Sequence, residues 1–290
     1  TQMLNKDGGI ETDLTVVCLD QNYFRVVSSA TVREHDKHHI LKHLDTSVEF
    51  KDVTEDYACL GVFGPKSRNL MTDLAGKYFE TKDFPFATGK NIKILDINVW
   101  VQRLSYVGEL GWEVFIPIKN ATIIYNKIIK DGEKYQICHA GIHAMDTLRM
   151  EKGYLHWGHD ITPEENQYEA GLNFAISYKK NVDFIGKDAL LKARDQKPKK
   201  KLAIFSLKEN KPGFPLLLHD EPILSDGKII GRTTSGNYSF NFKKNMAFGY
   251  VNSLSKLNGK DIEIEVEKTK YKVIVEAKPL HDPDNSIIRN

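Results

Sequence analysis

Most of the sequence features that would announce a chemistry are missing here. Three cysteines, Cys18, Cys59 and Cys138, lie far apart and form no Cys-x-x-Cys pair. That excludes a disulfide framework and a cysteine zinc site, and leads us to expect ordinary buried thiols. No apolar run approaches the roughly 18 residues that span a bilayer. Charge of neither sign dominates, with 41 basic against 39 acidic residues, so nothing global points to nucleic acid. Gly-x-Gly-x-x-Gly, the P-loop, His-Glu-x-x-His and Gly-x-Ser-x-Gly are all absent, which argues against dinucleotide or nucleoside triphosphate binding by this segment. No secretory leader is legible, and the opening TQMLNKDGG reads as the inside of a domain. What remains is 290 residues, 41% hydrophobic and 28% charged, an ordinary globular composition with room for two or three subdomains.

Periodicity organises the chain. Leu14 to Leu19 and Tyr23 to Val27 read as a hairpin turning at Asn22. Thr31 to Leu44 takes helical spacing, with Val32, Ile40, Leu41 and Leu44 as its apolar positions. His35, His38, His39 and His43 on that helix have the i,i+4 spacing of metal ligands, but with no further ligand nearby they read as a solvated face. A strand within Val53–Phe63, a helix opened by Pro65, strand Ile94 to Tyr106, strand Trp112 to Pro117 and a helix from Ala121 to Lys130 predict an antiparallel sheet with helices on one face. Ile137 to Gly153 predicts a further helix whose buried stripe is Ile142, Met145, Leu148 and Met150. After a short helix at Ala189 to Arg194, the basic run Lys197 to Lys201 reads as a linker. Short strands beyond it, punctuated by Gly227, Gly231 and Gly259, predict a small β-barrel or sandwich.

Two carboxylates stand out. In WEVFIP, Trp112, Val114 and Ile116 share one face and Glu113 and Phe115 the other. Glu113 is either a solvated edge residue or a recognition group aimed into a pocket. Asp13, in GGIETDLTV, is either a general base at the mouth of a strand or a turn aspartate bonded to its own backbone. His156, His159 and Asp160 in EKGYLHWGHD fit metal or acid/base chemistry no better than a loop packed by Tyr154 and Trp157.

Taken in order, GGIETDLTV (8–16), VFGPKSR (62–68), RLSYVGELGWEVFIP (103–117), MDTLRMEKGYLHWGHDI (145–161), EAGLNF (169–174), DFIGKDAL (183–190) and TTSGNYSFNFKKNMAFGYV (233–251) resemble the motifs of the aminomethyltransferase (glycine-cleavage T-protein) superfamily. The set, with the terminal LHDPDN (280–285), is most similar to the folate-binding C-terminal part of sarcosine and dimethylglycine dehydrogenases. The resemblance implies an α+β, three-lobed module lacking its N-terminal part. Its lobes would be 1–45 with 138–196, a ferredoxin-like 46–137, and a C-terminal β-barrel at 197–290.

By the same resemblance Asp13 is the catalytic aspartate and Glu113, with Val114 and Phe115 beside it, the pterin-recognising strand. Tyr106 matches a folate-contacting tyrosine, and Val27, Ser28 and Ser29 match a segment that meets the pterin partly through backbone. Phe174 stands where dimethylglycine dehydrogenase has tyrosine, which removes one hydroxyl contact. Ser29 and Met145 replace an asparagine and an arginine of aminomethyltransferases proper, which favours the dehydrogenase branch. The implied cofactor is tetrahydrofolate, taking up an iminium or formaldehyde equivalent as 5,10-methylenetetrahydrofolate. The expected partners are folate and a small methylated amine, with FAD confined to a missing N-terminal domain or another chain, so that this chain would not oxidise the amine alone. No metal, nucleic acid or membrane is expected. The setting would be the mitochondrial matrix in a eukaryote and the cytoplasm otherwise. The alternatives are a glycine-cleavage-type aminomethyltransferase and a non-catalytic relative resembling the regulatory subunit of pyruvate dehydrogenase phosphatase.

Overall fold

Two short antiparallel ladders open the chain. Gln2–Leu4 (β1) pairs with Ile10–Asp13 (β2), and Thr15–Asp20 (β3) pairs with Tyr23–Val27 (β4). Helix Arg33–His43 (α1) follows. The structure, a computed structural model, describes residues 1–76, 79–209, 211–252, 257 and 261–290; Gly259 lies outside them. It divides into two compact units, Thr1–Thr46 with Gly153–Pro279, and Ser47–Lys152 with Leu280–Asn290.

Helix α1 overturns one expectation. Its buried residues are Asp36 and His39, while Leu41, expected in an apolar stripe, is exposed. Of the histidines expected on a solvated face, His35, His38 and His43 are exposed and His39 alone is buried. His35 Nδ1 lies 3.0 Å from Asp36 Oδ1, its Nε2 lies 3.3 Å from Glu11 Oε1, and its ring packs 5.1 Å from Trp157. The buried Asp36 thus has the partly exposed His35 ring as a neighbour. Among the described residues no group of three His, Cys, Asp or Glu side chains is placed to hold a metal ion. The three cysteines, expected to be buried, are all exposed and free.

The second unit is built on a four-stranded antiparallel sheet. Tyr57–Phe63 (β5) leads into helix Ser67–Ala75 (α2). Gly89–Ile94 (β6), Ile97–Gln102 (β7) and Gly111–Pro117 (β8) then pair in the order β5-β8-β7-β6, and helix Ala121–Gly132 (α3) follows. The β-α-β-β-β-α order departs from the β-α-β-β-α-β of a ferredoxin-like unit. The run expected as one strand from Ile94 is broken at Leu95-Asp96, both at positive φ (50° and 61°), a geometry that suits a two-residue hairpin turn. One sheet face is apolar, with Val62, Ile92, Ile94, Val99, Val101, Trp112, Val114 and Ile116 buried against Leu70, Met71, Leu74, Ile124 and Ile128 of the two helices.

Helix Ile142–Lys152 (α4) closes that stretch. Ile142 and Met145, expected inside, are exposed, and the buried end carries Thr147, Arg149, Met150, Glu151 and Lys152 instead. Polar groups can be buried there because the C-terminal tail returns to meet them. His281 N donates to Glu151 O, and Lys152 Nζ lies 3.0 Å from Asp282 Oδ2, the two side chains 3% and 1% exposed. Burial works to raise the Asp282 carboxyl. Hydrogen bonds from the Ile287 amide, Lys152, Ser286 and the Ile288 amide outweigh it and hold the group at about 2. Asp282 thereby anchors the short helix at Ser286–Arg289.

The rest of the first unit holds two cores. Leu4, Ile10, Ile161, Ala170 and Leu190 pack together around the short helices Gln167–Ala170 and Lys187–Arg194. Six strands, Lys200–Leu207 (β9), Pro222–Ser225 (β10), Lys228–Ser239 (β11), Lys244–Asn252 (β12), Ile262–Val266 (β13) and Thr269–Glu276 (β14), close into a barrel in the order β10-β11-β12-β9-β14-β13. Phe205, Leu207, Ile223, Ala247 and Ile264 fill it. No helix among the described residues is long and apolar enough to cross a membrane.

Replacing Asp282 by Ala leaves the Lys152 ammonium buried without its counter-charge, which costs about 3–5 kcal/mol. Urea denaturation at pH 7 is expected to show that loss. Because the folded-state carboxyl is held below its ordinary 3.8, the wild-type advantage is complete above that value and shrinks as pH falls toward about 2. Equal stabilities at pH 7 would rule out the anchor.

Candidate functional site

The second face of the four-stranded sheet is where the strand register places Glu113. Because Trp112, Val114 and Ile116 fill the helix-packed core, strand alternation turns Glu113 and Phe115 to the other side. Gly61 of β5 and Gln102 of β7 flank Glu113; Cys59 and Trp100 flank Phe115 in the same way. The glycine makes room. A Cβ on Gly61 would come within 2.3 Å of the Phe63 ring, and one on Gly111 within 2.3 Å of its other edge, so that ring lies across both glycines on this face. Phe115 is 7% exposed. Glu113 is thus a half-buried carboxylate in aromatic surroundings, not an exposed edge residue.

Its electrostatics follow from that placement. Desolvation pushes the Glu113 carboxyl above its ordinary range, and a hydrogen bond from Gln102 Nε2 to Oε2, 2.6 Å, works against the rise. Among the described residues no hydrogen bond reaches Oε1. A carboxylate so placed offers one held oxygen and one available oxygen to a planar ligand edge with N–H donors.

Val114 lies beside Glu113 in sequence, but its side chain is wholly buried in the core and its backbone pairs with Leu60 and Val101. Tyr106 is half-buried in the 103–110 connection that precedes β8.

Asp13 belongs to the first unit, at the end of β2. Thr15 pairs with Val27 in the β3–β4 hairpin, so Asp13 leaves the same end of it as Ser28 and Ser29. Ser29 Oγ lies 2.8 Å from Thr31 Oγ1. Asp13 keeps exposed surface, yet desolvation by the surrounding protein pushes its carboxyl above its ordinary range, against a 3.0 Å hydrogen bond from Gln2 Nε2 to Oδ1 and the Thr1 ammonium 4.0 Å away. The hydrogen bond is therefore to a neighbouring strand's side chain and not to the turn aspartate's own backbone. Phe174 sits on the 173–175 turn, 82% exposed.

The EKGYLHWGHD segment resolves differently. Asp160 is fully buried, taking hydrogen bonds from Thr234 (2.5 Å), Ser235 (2.8 Å) and the His156 amide (2.9 Å). Trp157 Nε1 donates to Ile10 O at 2.9 Å. The cluster ties a loop to the barrel, and its acid is fully occupied in doing so.

Comparison with known proteins matches residues 1–180 to the GCVT N-terminal domain and residues 200–282 to the glycine cleavage T-protein C-terminal barrel domain. The chain belongs to the glycine-cleavage T-protein family. Mitochondrial sarcosine dehydrogenase of Mus musculus is 31% identical over the whole chain, which spans 34% of that protein. An aminomethyltransferase of Caldanaerobacter subterraneus is 32% identical over 95% of the chain and 72% of its own length. The crystal structure of the glycine cleavage system aminomethyltransferase T from Bartonella henselae superposes with a TM-score of 0.83 at 24% identity, covering 97% of this chain and 75% of that one. The fold is thus that of an aminomethyltransferase, and the chain spans about a third of the dehydrogenase it matches.

Within this T-protein fold, sequence reasoning passed over Gln102, Phe63 and Gly61. A signal for Gln102 existed. Asn98, Trp100 and Gln102 alternate with Ile97, Val99 and Val101, so the strand has a second face that is neither apolar nor charged. Only the pairing with β8 shows what that face meets.

A raised carboxyl in the folded state binds its proton more tightly than in the unfolded chain. Stability therefore falls as pH rises from about the ordinary 4.5 through the raised value. Glu113→Gln keeps an acceptor for Gln102 and has no charge to desolvate. Thermal melts are expected to coincide near pH 4 and to favour the variant at pH 7.5. A variant that melts lower than wild type at pH 7.5 contradicts the desolvation argument.

Proposed function

We propose that this chain is the tetrahydrofolate-binding, one-carbon transfer module of a sarcosine- or dimethylglycine-dehydrogenase-type enzyme. The observation that carries the proposal is the Glu113 face: a half-buried carboxylate with one oxygen held by Gln102, set among Phe63 and Phe115. That acceptor and its apolar walls suit the flat, NH-bearing edge of a pterin. Glu113 accepts paired hydrogen bonds from that edge, Phe115 and Phe63 keep water from competing, and Tyr106 completes the contribution. When bound, reduced folate supplies the nitrogens that take up the one-carbon unit, with 5,10-methylenetetrahydrofolate as product.

Asp13 does the proton work. Its raised carboxyl holds a proton nearer neutral pH than an exposed aspartate does, and as a carboxylate it stabilises a neighbouring cation in a partly dry setting. Gln2 fixes Oδ1, so the exchange falls to Oδ2. Val27, Ser28 and Ser29, at the same hairpin end, contribute backbone groups, and Phe174 an apolar surface without a hydroxyl. An FAD-bearing domain or partner chain delivers the oxidised methylated amine.

Titration with reduced folate is expected to show saturable binding, abolished in Glu113→Ala. Asp13→Asn is expected to bind folate nearly as well and to form methylenetetrahydrofolate at least about 100-fold more slowly. Absence of binding by the folded protein overturns the reading; unchanged transfer in Asp13→Asn removes that residue from the chemistry. The coverage of a bacterial aminomethyltransferase at 72% of its length keeps a second reading, transfer from an aminomethyl-lipoyl carrier. Ammonia release from such a carrier would select it.

A further inference from the structure

We propose that Gln102 is a positioning residue that aims the Glu113 carboxylate and keeps it anionic for its ligand, and that Trp100 sets the direction of the Gln102 amide. The inference rests on Glu113 being the pterin anchor.

The geometry is a three-member relay on one sheet face. Trp100 Nε1 lies 3.3 Å from Gln102 Oε1, and Gln102 Nε2 lies 2.6 Å from Glu113 Oε2. An indole N–H can only donate, so it fixes the Gln102 oxygen toward Trp100 and the amide NH2 toward Glu113. The usual ambiguity between the two ends of a glutamine amide is settled by that partner. Gln102 is 2% exposed and therefore held within the sheet. It stands directly across from Glu113 in the β7–β8 register, at the spacing where cross-strand side chains meet. Trp100 is held in turn. Its ring lies across Gly89 of β6, where a Cβ would come within 2.3 Å of Cζ2.

The choice of a neutral donor matters. Lysine or arginine at this position would hold the carboxylate and also cancel its charge. An amide supplies one hydrogen bond, offsets part of the desolvation cost of ionisation, and leaves the full negative charge for the incoming N–H edge. The other titratable group beside it on β5 does not compete. Cys59 keeps solvent-exposed surface, yet desolvation by the surrounding protein, and then the Glu113 charge, hold its thiol up at about 12. Phe63 and Gly61 on β5, Trp100 and Gln102 on β7, and Phe115 on β8 itself carry no charge.

A merely structural glutamine would change melting temperature and nothing else. A positioning glutamine changes the pH dependence of binding, because losing its donor lets desolvation raise the Glu113 carboxyl further. The experiment measures binding of 5-formyltetrahydrofolate, a stable reduced folate, between pH 5 and 9 for wild type, Gln102→Leu, Trp100→Phe and Glu113→Ala. The indole-to-phenyl change keeps a ring over Gly89 and removes only the N–H donor, so it carries the test if Gln102→Leu does not fold. We expect Gln102→Leu to bind roughly tenfold more weakly at pH 7. Its binding, and to a smaller extent that of Trp100→Phe, is expected to fall away at a higher pH than in wild type. Loss of binding in Glu113→Ala with wild-type affinity and pH midpoint in the other two overturns the inference and leaves the anchor intact. Retained binding in Glu113→Ala overturns the anchor itself.

Discussion

Everything about the proposed pterin face depends on the strand period of two in GWEVFIP. Once Trp112, Val114 and Ile116 commit to the helix-packed side, Glu113 and Phe115 have no choice of direction. A shift of one residue in the β7–β8 pairing would put a carboxylate into the apolar core. The large burial on one face therefore holds the residues of the other in register. That pairing sets Gln102 opposite Glu113 and Trp100 opposite Phe115, so recognition geometry and core packing are the same constraint seen from two sides. The glycines at 61 and 111 then admit an aromatic ring from β5 without lengthening any strand.

Polar burial elsewhere follows a different rule. Asp160 is buried with three hydrogen bonds, Asp282 with a buried ammonium and backbone amides, and Asp36 beside His35. Each of these acids has a partner from outside its own element or immediately next to it, as burial requires. Asp282 is the extreme case, where hydrogen bonds overcome burial and keep the group ionised to about 2. In Glu113, Asp13 and Glu109 desolvation prevails instead and the carboxyl is raised.

Legibility in the sequence followed the same division. The hairpin at 15–27, the sheet, α2, α3 and the barrel were readable because apolar side chains at regular spacing drive them. Helices α1 and α4 departed from their expected apolar stripes because their buried residues are largely polar, Asp36 and His39 in one and Thr147, Arg149, Glu151 and Lys152 in the other, the last paired with the distant tail. Ile142 and Met145 follow helical spacing and still face solvent. The Leu95-Asp96 turn was missed because neither residue is the glycine or asparagine that usually marks positive φ. For the site, alternation gave the direction of Glu113 but not its surroundings, and the ligand came only from resemblance. Gln102 needed the β7–β8 register before its role could be stated.

Asp13 and Glu113 share an arrangement despite belonging to separate units. Each is a carboxyl raised by desolvation, and each receives one hydrogen bond from a glutamine amide, Gln2 in one case and Gln102 in the other. An amide donor fixes the plane of a carboxyl without adding charge, although at Asp13 the Thr1 ammonium also stands 4.0 Å from Oδ1. It also leaves the carboxyl's proton affinity raised, which a full buried ion pair opposes more strongly. A residue meant only to stabilise the fold is better served by the Lys152–Asp282 solution, full pairing and a depressed value. Glu109 combines the two, raised by desolvation while His281 Nε2 lies 3.0 Å from its Oε1.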